Sequence, residues 1–248
     1  MVNEENIIVG ISIGDLNGIG AEIALKTFED PRSLEFCTPV IFASVKTMSF
    51  IKNHFNFNIR FNGINNFDQI LHGKINVFNC WKENINIEFG KEDPKIGGYA
   101  VKSLEIATKA LKDKNIDVLV TAPINKHSIQ SDKFNFPGHT DYLAQELTGN
   151  SLMFMVTNSL RVGLLTDHVP VKDIAEHITP QLIEKKIDII YDSLKKDFRI
   201  VKPKVAVLGI NPHTGDNGVI GKEDDEVLRP TLKKIKESGK LVFGPYAA

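Results

Sequence analysis

The order of apolar and polar runs constrains this chain more than any single residue does. Short β-branched runs at residues 7–13, 40–43, 74–78, 116–121 and 205–210 alternate with segments whose apolar residues recur at helical spacing. Such runs are too apolar to leave one face in water, and strand–helix alternation builds βαβ units, hence a mostly parallel sheet with helices on both faces. The clearest helix of the first half spans 96–114, where Ala100, Leu104, Ala107 and Leu111 share one face between Lys and Glu residues. Residues 21–29 and 45–54 read as further helices, whereas 55–67 has no clear period. In the second half, a helix is expected over 141–147 with Thr140 as its N-cap, then two strands, 152–156 and 161–165, close enough to form a hairpin. Thr179 and Pro180 suit the cap and first position of a long amphipathic helix ending near residue 196. After the strand at 205–210, a helix from about 222 to 238 and a strand from 241 complete an α/β chain. The polar stretch Ser131-Asp132-Lys133 suggests subdomains at 1–130 and 131–248.

Length and charge narrow the partners. With 248 residues, 42% of them hydrophobic, the chain can bury one large core or two smaller ones. A formal net charge of -1, with basic and acidic residues interspersed, provides no field to gather nucleic acid or an anionic membrane. Cys37 and Cys80 are far apart and show no metal or redox spacing, which fits a reduced, cytoplasmic setting. No signal-peptide pattern precedes Ile7, and no apolar run is long enough to span a bilayer.

Open α/β sheets bind ligands beyond the carboxyl ends of their strands, so the loops there carry the candidate chemistry. Gly14-Asp15-Leu16-Asn17-Gly18-Ile19-Gly20 follows the first strand. It reads either as a cradle for phosphate or ribose or as a tight βα turn, and its spacing is not that of the dinucleotide fingerprint. Asn125 and Lys126, after the 116–121 strand, suit a phosphate or carboxylate and equally a solvated turn. Three of the seven histidines, His139, His168 and His213, lie in loops with Gly or Pro and another polar group. His168 and His213 follow strand ends, which fits either a shared divalent metal or hydrogen-bonded loop residues; a catalytic site uses about three protein ligands. Asp15, Asp141, Asp167 and Asp216 near these loops are candidate bases or partners of ligands, or else caps and turn residues. No nucleophile elbow, Walker loop or paired-cysteine motif is present.

Five motifs in order carry a resemblance to a known family. They are residues 14–22, Thr121-Ala122-Pro123-Ile124-Asn125-Lys126, Pro137-Gly138-His139-Thr140-Asp141, Thr166-Asp167-His168-Val169-Pro170 and Asn211-Pro212-His213-Thr214-Gly215. From Ile11 onward the chain resembles the 4-hydroxythreonine-4-phosphate dehydrogenases of the pyridoxal 5′-phosphate (vitamin B6) pathway, the PdxA family. The first motif is also similar to a loop of isocitrate and isopropylmalate dehydrogenases, whose fold the family shares. The resemblance implies two α/β subdomains with a cleft, the second carrying metal and dimer-interface loops. It implies NAD- or NADP-linked, divalent-metal-dependent (Zn, Mg or Co) oxidation of a small phosphorylated amino acid, 4-phosphooxy-L-threonine. The resulting β-keto acid decarboxylates to 3-amino-2-oxopropyl phosphate.

By the same resemblance, His168 and His213 are metal ligands, and His139 and Thr140 bind substrate; Asn125 and Lys126, from their place after the 116–121 strand, are further substrate-binding candidates. On the loop reading, Gly14, Asp15, Asn17, Gly18 and Gly20 are candidates at the cofactor and Asp167 is the candidate base, while the resemblance implies a homodimer with shared active sites. Leu16 and Ala21 stand where the family usually has proline. Members of the family also continue past Gly244-Pro245-Tyr246-Ala247-Ala248, with a third metal histidine and further substrate-binding residues. The expectation is thus a shortened form whose first subdomain lacks its C-terminal completion. Such a form would bind metal weakly, expose apolar sheet surface and have little activity. The alternatives are a dehydrogenase of another phosphorylated four-carbon hydroxy acid and an inactive remnant.

Overall fold

The computed structural model describes residues 7–132 and 134–247. Lys133, in the stretch expected to divide the chain, lies outside the described residues, as does Ala248. Two compact units form, Met1–Gly149 and Asn150–Ala248.

The first unit has five strands, β1 (Ile8–Ser12), β2 (Thr38–Ala43), β3 (Phe61–Ile64), β4 (Ile75–Asn79) and β5 (Val118–Thr121), all but β3 formed by the apolar runs. They pair in parallel in the order β3-β4-β2-β1-β5. The connecting helices are α1 (Gly20–Thr27), α2 (Val45–His54) and α3 (Pro94–Lys112), and α4 (His139–Glu146) follows β5. All six residues of β2 are buried, as required of a central strand covered on both faces. The connection through α1 and that through α3 run in opposite directions across the sheet. Right-handed crossovers therefore put these helices on opposite faces and make the β1/β5 pair the point where strand order reverses.

The aperiodic 55–67 segment acquires its structure from distant partners. Phe57 and Ile59 bury their side chains in the core, and β3 adds to the sheet edge beside β4. Buried Asn76 holds this edge: its Nδ2 donates to Leu71 O (3.0 Å) and Lys74 O (3.1 Å), and its Oδ1 accepts from Asn62 Nδ2 (2.8 Å). Helix α3 starts slightly before the expected position, with Asp93 accepting from Lys95 N at 2.8 Å and Pro94 in the first turn. Gly97 lies inside that helix because a Cβ there would sit 1.9 Å from Ser128 O.

The compact units divide at residue 149, beyond the expected boundary at residue 130. Phe134 and Tyr142 pack with Ala100 and Leu104 of α3, and Lys112 pairs with Glu146 at 2.6 Å, so residues 134–146 belong to the first core. Helix α4 also begins earlier than expected. Gly138 is its N-cap position and Thr140 lies within the helix, with no side-chain cap. At the opposite side of the sheet, edge strand β5 leaves Val118 and Val120 42% and 49% exposed. Val120 borders an apolar groove of about 250 Å³ shared with Ile23, Ala24 and Phe28 of the α1 region.

The second unit contains the expected hairpin, β6 (Phe154–Val156) with β7 (Arg161–Gly163). It continues through α5 (Ile174–His177), α6 (Pro180–Lys196), β8 (Val205–Leu208), a π-helical turn at Asp224–Leu228 running into α7 (Arg229–Glu237), and β9 (Val242–Tyr246). Thr179 caps α6, its Oγ1 accepting from Leu182 N at 3.2 Å. Ile183 and Ile187 of α6 pack with Leu228, Leu232 and Val242. Strands β8 and β9 are parallel, but β7 and β8 belong to separate two-stranded sheets. Thus the single extended parallel sheet belongs to the first unit.

No helix of the described residues is long and apolar enough to cross a membrane. Both cysteines are free, and burial pushes the Cys80 thiol up to about 12, where it is not a nucleophile at neutral pH.

Candidate active site

The first and second motifs meet at the carboxyl end of the parallel sheet. Pairing of β1 with β5 sets Ser12 opposite Thr121, and just beyond, Asp15 N donates to Pro123 O at 2.9 Å. Gly14 has a φ of +68°, and a Cβ on it would lie 2.2 Å from Pro123 O. Gly20 lets α1 approach Ile13 O and Ala122, which a Cβ would meet at 2.9 and 3.0 Å. Asp15 Oδ1 accepts from Asn17 N at 3.0 Å, closing the turn. These contacts account for Gly14, Asp15 and Gly20 as parts of a tight βα turn.

Asn17 has an internal role. Its side chain is buried, Nδ2 donates to Lys91 O (2.9 Å), and Oδ1 accepts from Glu88 N (2.9 Å). Its amide is therefore committed to the 88–91 loop. Gly18 packs near Asp15, its would-be Cβ 3.3 Å from Oδ2. The N-cap position of α1, Ile19, contributes no side-chain acceptor to the first-turn amides.

Asn125 and Lys126 differ in what they leave free. Asn125 Oδ1 accepts from His127 N (3.0 Å) and Ser128 N (2.9 Å), while Nδ2 donates to Glu92 Oε1 (2.9 Å). It caps a turn, and Glu92 is a partner that local sequence spacing did not reveal. Lys126 is exposed and has no ion pair among the described residues, so its ammonium is open to an anion.

His139 opens α4, beside exposed Thr140. Its Nε2 is buried without a hydrogen-bond partner, and burial lowers the imidazole pKa below the usual 6.5. The unfolded chain then binds this proton at higher pH than the folded chain does. Stability from this group is present above about pH 6.5 and is lost as pH falls through the lower folded value. Urea unfolding at pH 7.5 and 5.5 is expected to show a smaller acid loss in His139→Gln than in the unmutated chain. An identical pH dependence would count against this role for the ring.

The second unit carries His168 and His213, on loops after β7 and β8. Both are exposed and both have left-handed backbone, φ 53° in each case, a region that non-glycine residues enter at a cost and that is concentrated at functional sites. Asp167 is half-buried beside His168. The two strand ends border one cavity of about 560 Å³, lined by Leu165 and Thr166 on one side and Val207 and Leu208 on the other. Its lining is largely apolar, so the polar chemistry belongs to the loops at its rim. Neutral imidazoles suit Zn²⁺ and related ions. Among the described residues, no three His, Cys, Asp or Glu side chains converge as a metal site.

The architecture is that of an α/β enzyme with its candidate ligand loops at strand ends. The model for the family described as "Pyridoxal phosphate biosynthetic protein PdxA" matches residues 35–248. A 4-hydroxythreonine-4-phosphate dehydrogenase of Bacteroides thetaiotaomicron is 44% identical over 249 residues, covering 100% of this chain and 68% of that protein. One from Sulfurihydrogenibium sp. is 34% identical, covering 96% of this chain and 73% of its own length. The crystal structure of a 4-hydroxythreonine-4-phosphate dehydrogenase from Burkholderia phymatum superposes with a TM-score of 0.83 at 28% identity, covering 98% of this chain and 74% of that one. The chain belongs to the PdxA family, a family of dehydrogenases.

Proposed function

We propose that this chain contributes to NAD- or NADP-linked oxidation of 4-phosphooxy-L-threonine, as the names of its relatives suggest. The observation that carries the site assignment is the shared left-handed backbone of His168 and His213 on exposed strand-end loops of one unit. In this reading, the Lys126 ammonium attracts the substrate phosphate. His139, kept neutral by burial, offers its unpartnered Nε2 to a substrate polar group, with Thr140 beside it. Asp167 accepts the hydroxyl proton while hydride leaves the same carbon for the nicotinamide. The resulting β-keto acid loses CO₂ to give 3-amino-2-oxopropyl phosphate. His168 and His213 would hold a divalent ion (Zn, Mg or Co). When bound, the ion supplies polarisation of the substrate oxygen. The active assembly is a cytoplasmic homodimer with shared sites.

Zn²⁺ titration and nicotinamide reduction with 4-phosphohydroxythreonine test this reading. H168A and H213A are each expected to weaken Zn²⁺ binding by about tenfold or more. Unchanged affinity in both variants overturns the ligand assignment. A folded chain with neither Zn²⁺ binding nor turnover would support the remnant reading.

A further inference from the structure

We propose that Asp224 is the positioning residue for His213, an inference that rests on the metal-ligand reading of that histidine. Asp224 is fully buried, and its carboxylate is held by amide donors. Oδ1 accepts from Ile210 N at 2.9 Å, while Oδ2 accepts from Asn211 N at 2.9 Å and Asn211 Nδ2 at 3.1 Å. A buried carboxylate without such donors would be strongly unfavourable, so the three N–H groups and the charge hold one another in place. The residues gripped are the two that lie between Gly209 and the Pro212-His213 pair, so the anchor fixes the loop immediately before the histidine.

The surrounding packing leaves this arrangement little freedom. A Cβ on Gly209 would lie 3.1 Å from Asp224 Oδ1, and one on Gly221 would lie 2.7 Å from the Asn211 side chain. Gly215, at φ +80°, approaches Gly221 so closely that a Cβ would sit 2.2 Å from Gly221 O. Thr214 N donates to Asn211 O at 3.0 Å, and Asp216 N to His213 O at 3.2 Å. The left-handed run at His213 and Thr214 is thus bounded on both sides, and its amino-terminal anchor is Asp224. Asp224 also starts the π-helical turn, a distortion often found at functional sites. Neighbouring Glu223 makes a different contact: its Oε2 accepts from Asn211 Nδ2 at 2.8 Å.

Partners that orient a metal ligand typically change affinity by about 10–100-fold when removed. The test uses the whole chain with Zn²⁺ alone as the probe, followed through the ring signals of His168 and His213. Asp224→Asn is expected to lower Zn²⁺ affinity by about tenfold or more and to speed amide exchange at Ile210 and Asn211. Glu223→Gln, which leaves the backbone anchor intact, is expected to stay within about twofold of the unmutated chain. Equal affinity in D224N and the unmutated chain, with H213A weakened, overturns the role of Asp224. No weakening in either H168A or H213A overturns the metal reading instead. If D224N does not fold, the unmutated chain decides: scalar coupling across the Asn211 N–H···Asp224 bond supports the anchor, and its absence overturns it.

Discussion

Phe42→Ala is expected to lower the unfolding free energy of the first unit by about 3–5 kcal/mol, the usual cost of emptying a buried phenylalanine site. The Phe42 side chain is fully buried on central strand β2, with ring centroids 5.6 Å from Phe78 and 6.4 Å from Phe67. Gly10 on the neighbouring strand has no side chain to move into the vacated volume, and a Cβ there would already be 3.0 Å from the Phe42 ring. The backbone around the site is also pinned, because Ser103 Oγ donates to Phe42 O at 2.6 Å while accepting from Ile13 N at 3.0 Å. Relaxation is therefore limited. The loss is a large share of the roughly 5–15 kcal/mol available to a typical domain. Phe36→Ala, at a side chain 80% exposed, serves as the comparison and should change stability by only about 0.5 kcal/mol. Urea unfolding measures both, and a Phe42→Ala loss below about 1 kcal/mol would contradict this account of the core.

Gly14→Ala acts through the loop junction rather than the core. The left-handed backbone at φ +68° costs an alanine about 1–2 kcal/mol, and the 2.2 Å approach to Pro123 O adds an overpacking cost of about 1–3 kcal/mol. The carbonyl it meets is backbone just beyond β5 and already accepts from Asp15 N, so a side-chain rotation cannot relieve the contact. The expected result is a loss of about 3 kcal/mol together with displacement of the 122–126 loop. Amide chemical shifts over residues 13–20 and 121–128, read with denaturant stability, check it. Shifts confined to Gly14 and its two neighbours would show that the two loops are not mechanically joined.

Most elements were legible in the sequence because their signals are local. The 3.6-residue recurrence of Ala100, Leu104, Ala107 and Leu111 marks the face that α3 buries, and the Thr179-Pro180 pair marks the start of α6. The 55–67 segment was not legible, because its order comes from Asn76 and from core contacts instead of its own period. Thr140 was expected to cap α4 because threonine is a good cap; the helix instead begins at His139, within a segment fastened to α3 by Phe134 and Tyr142. The motif loops were readable as candidate sites at strand ends. Which of their side chains remain free was not, since Asn125 is consumed by its own turn and by Glu92, whereas Lys126 is not.

The sequence by itself determined the α/β class, nearly every strand and helix, and the five loops that place the chain among its relatives. Periodicity, caps and motif order all involve residues a few positions apart, and such interactions survive without knowledge of the rest of the molecule. Only the tertiary structure decided that Asn17 secures the 88–91 loop, that Gly14 makes room for Pro123, and that Asp224 reaches back to Ile210 and Asn211. Those pairings depend on how strands and loops meet after folding. A buried amide or carboxylate takes whatever donor or acceptor the packed chain brings to it, at sequence separations that local pattern does not encode.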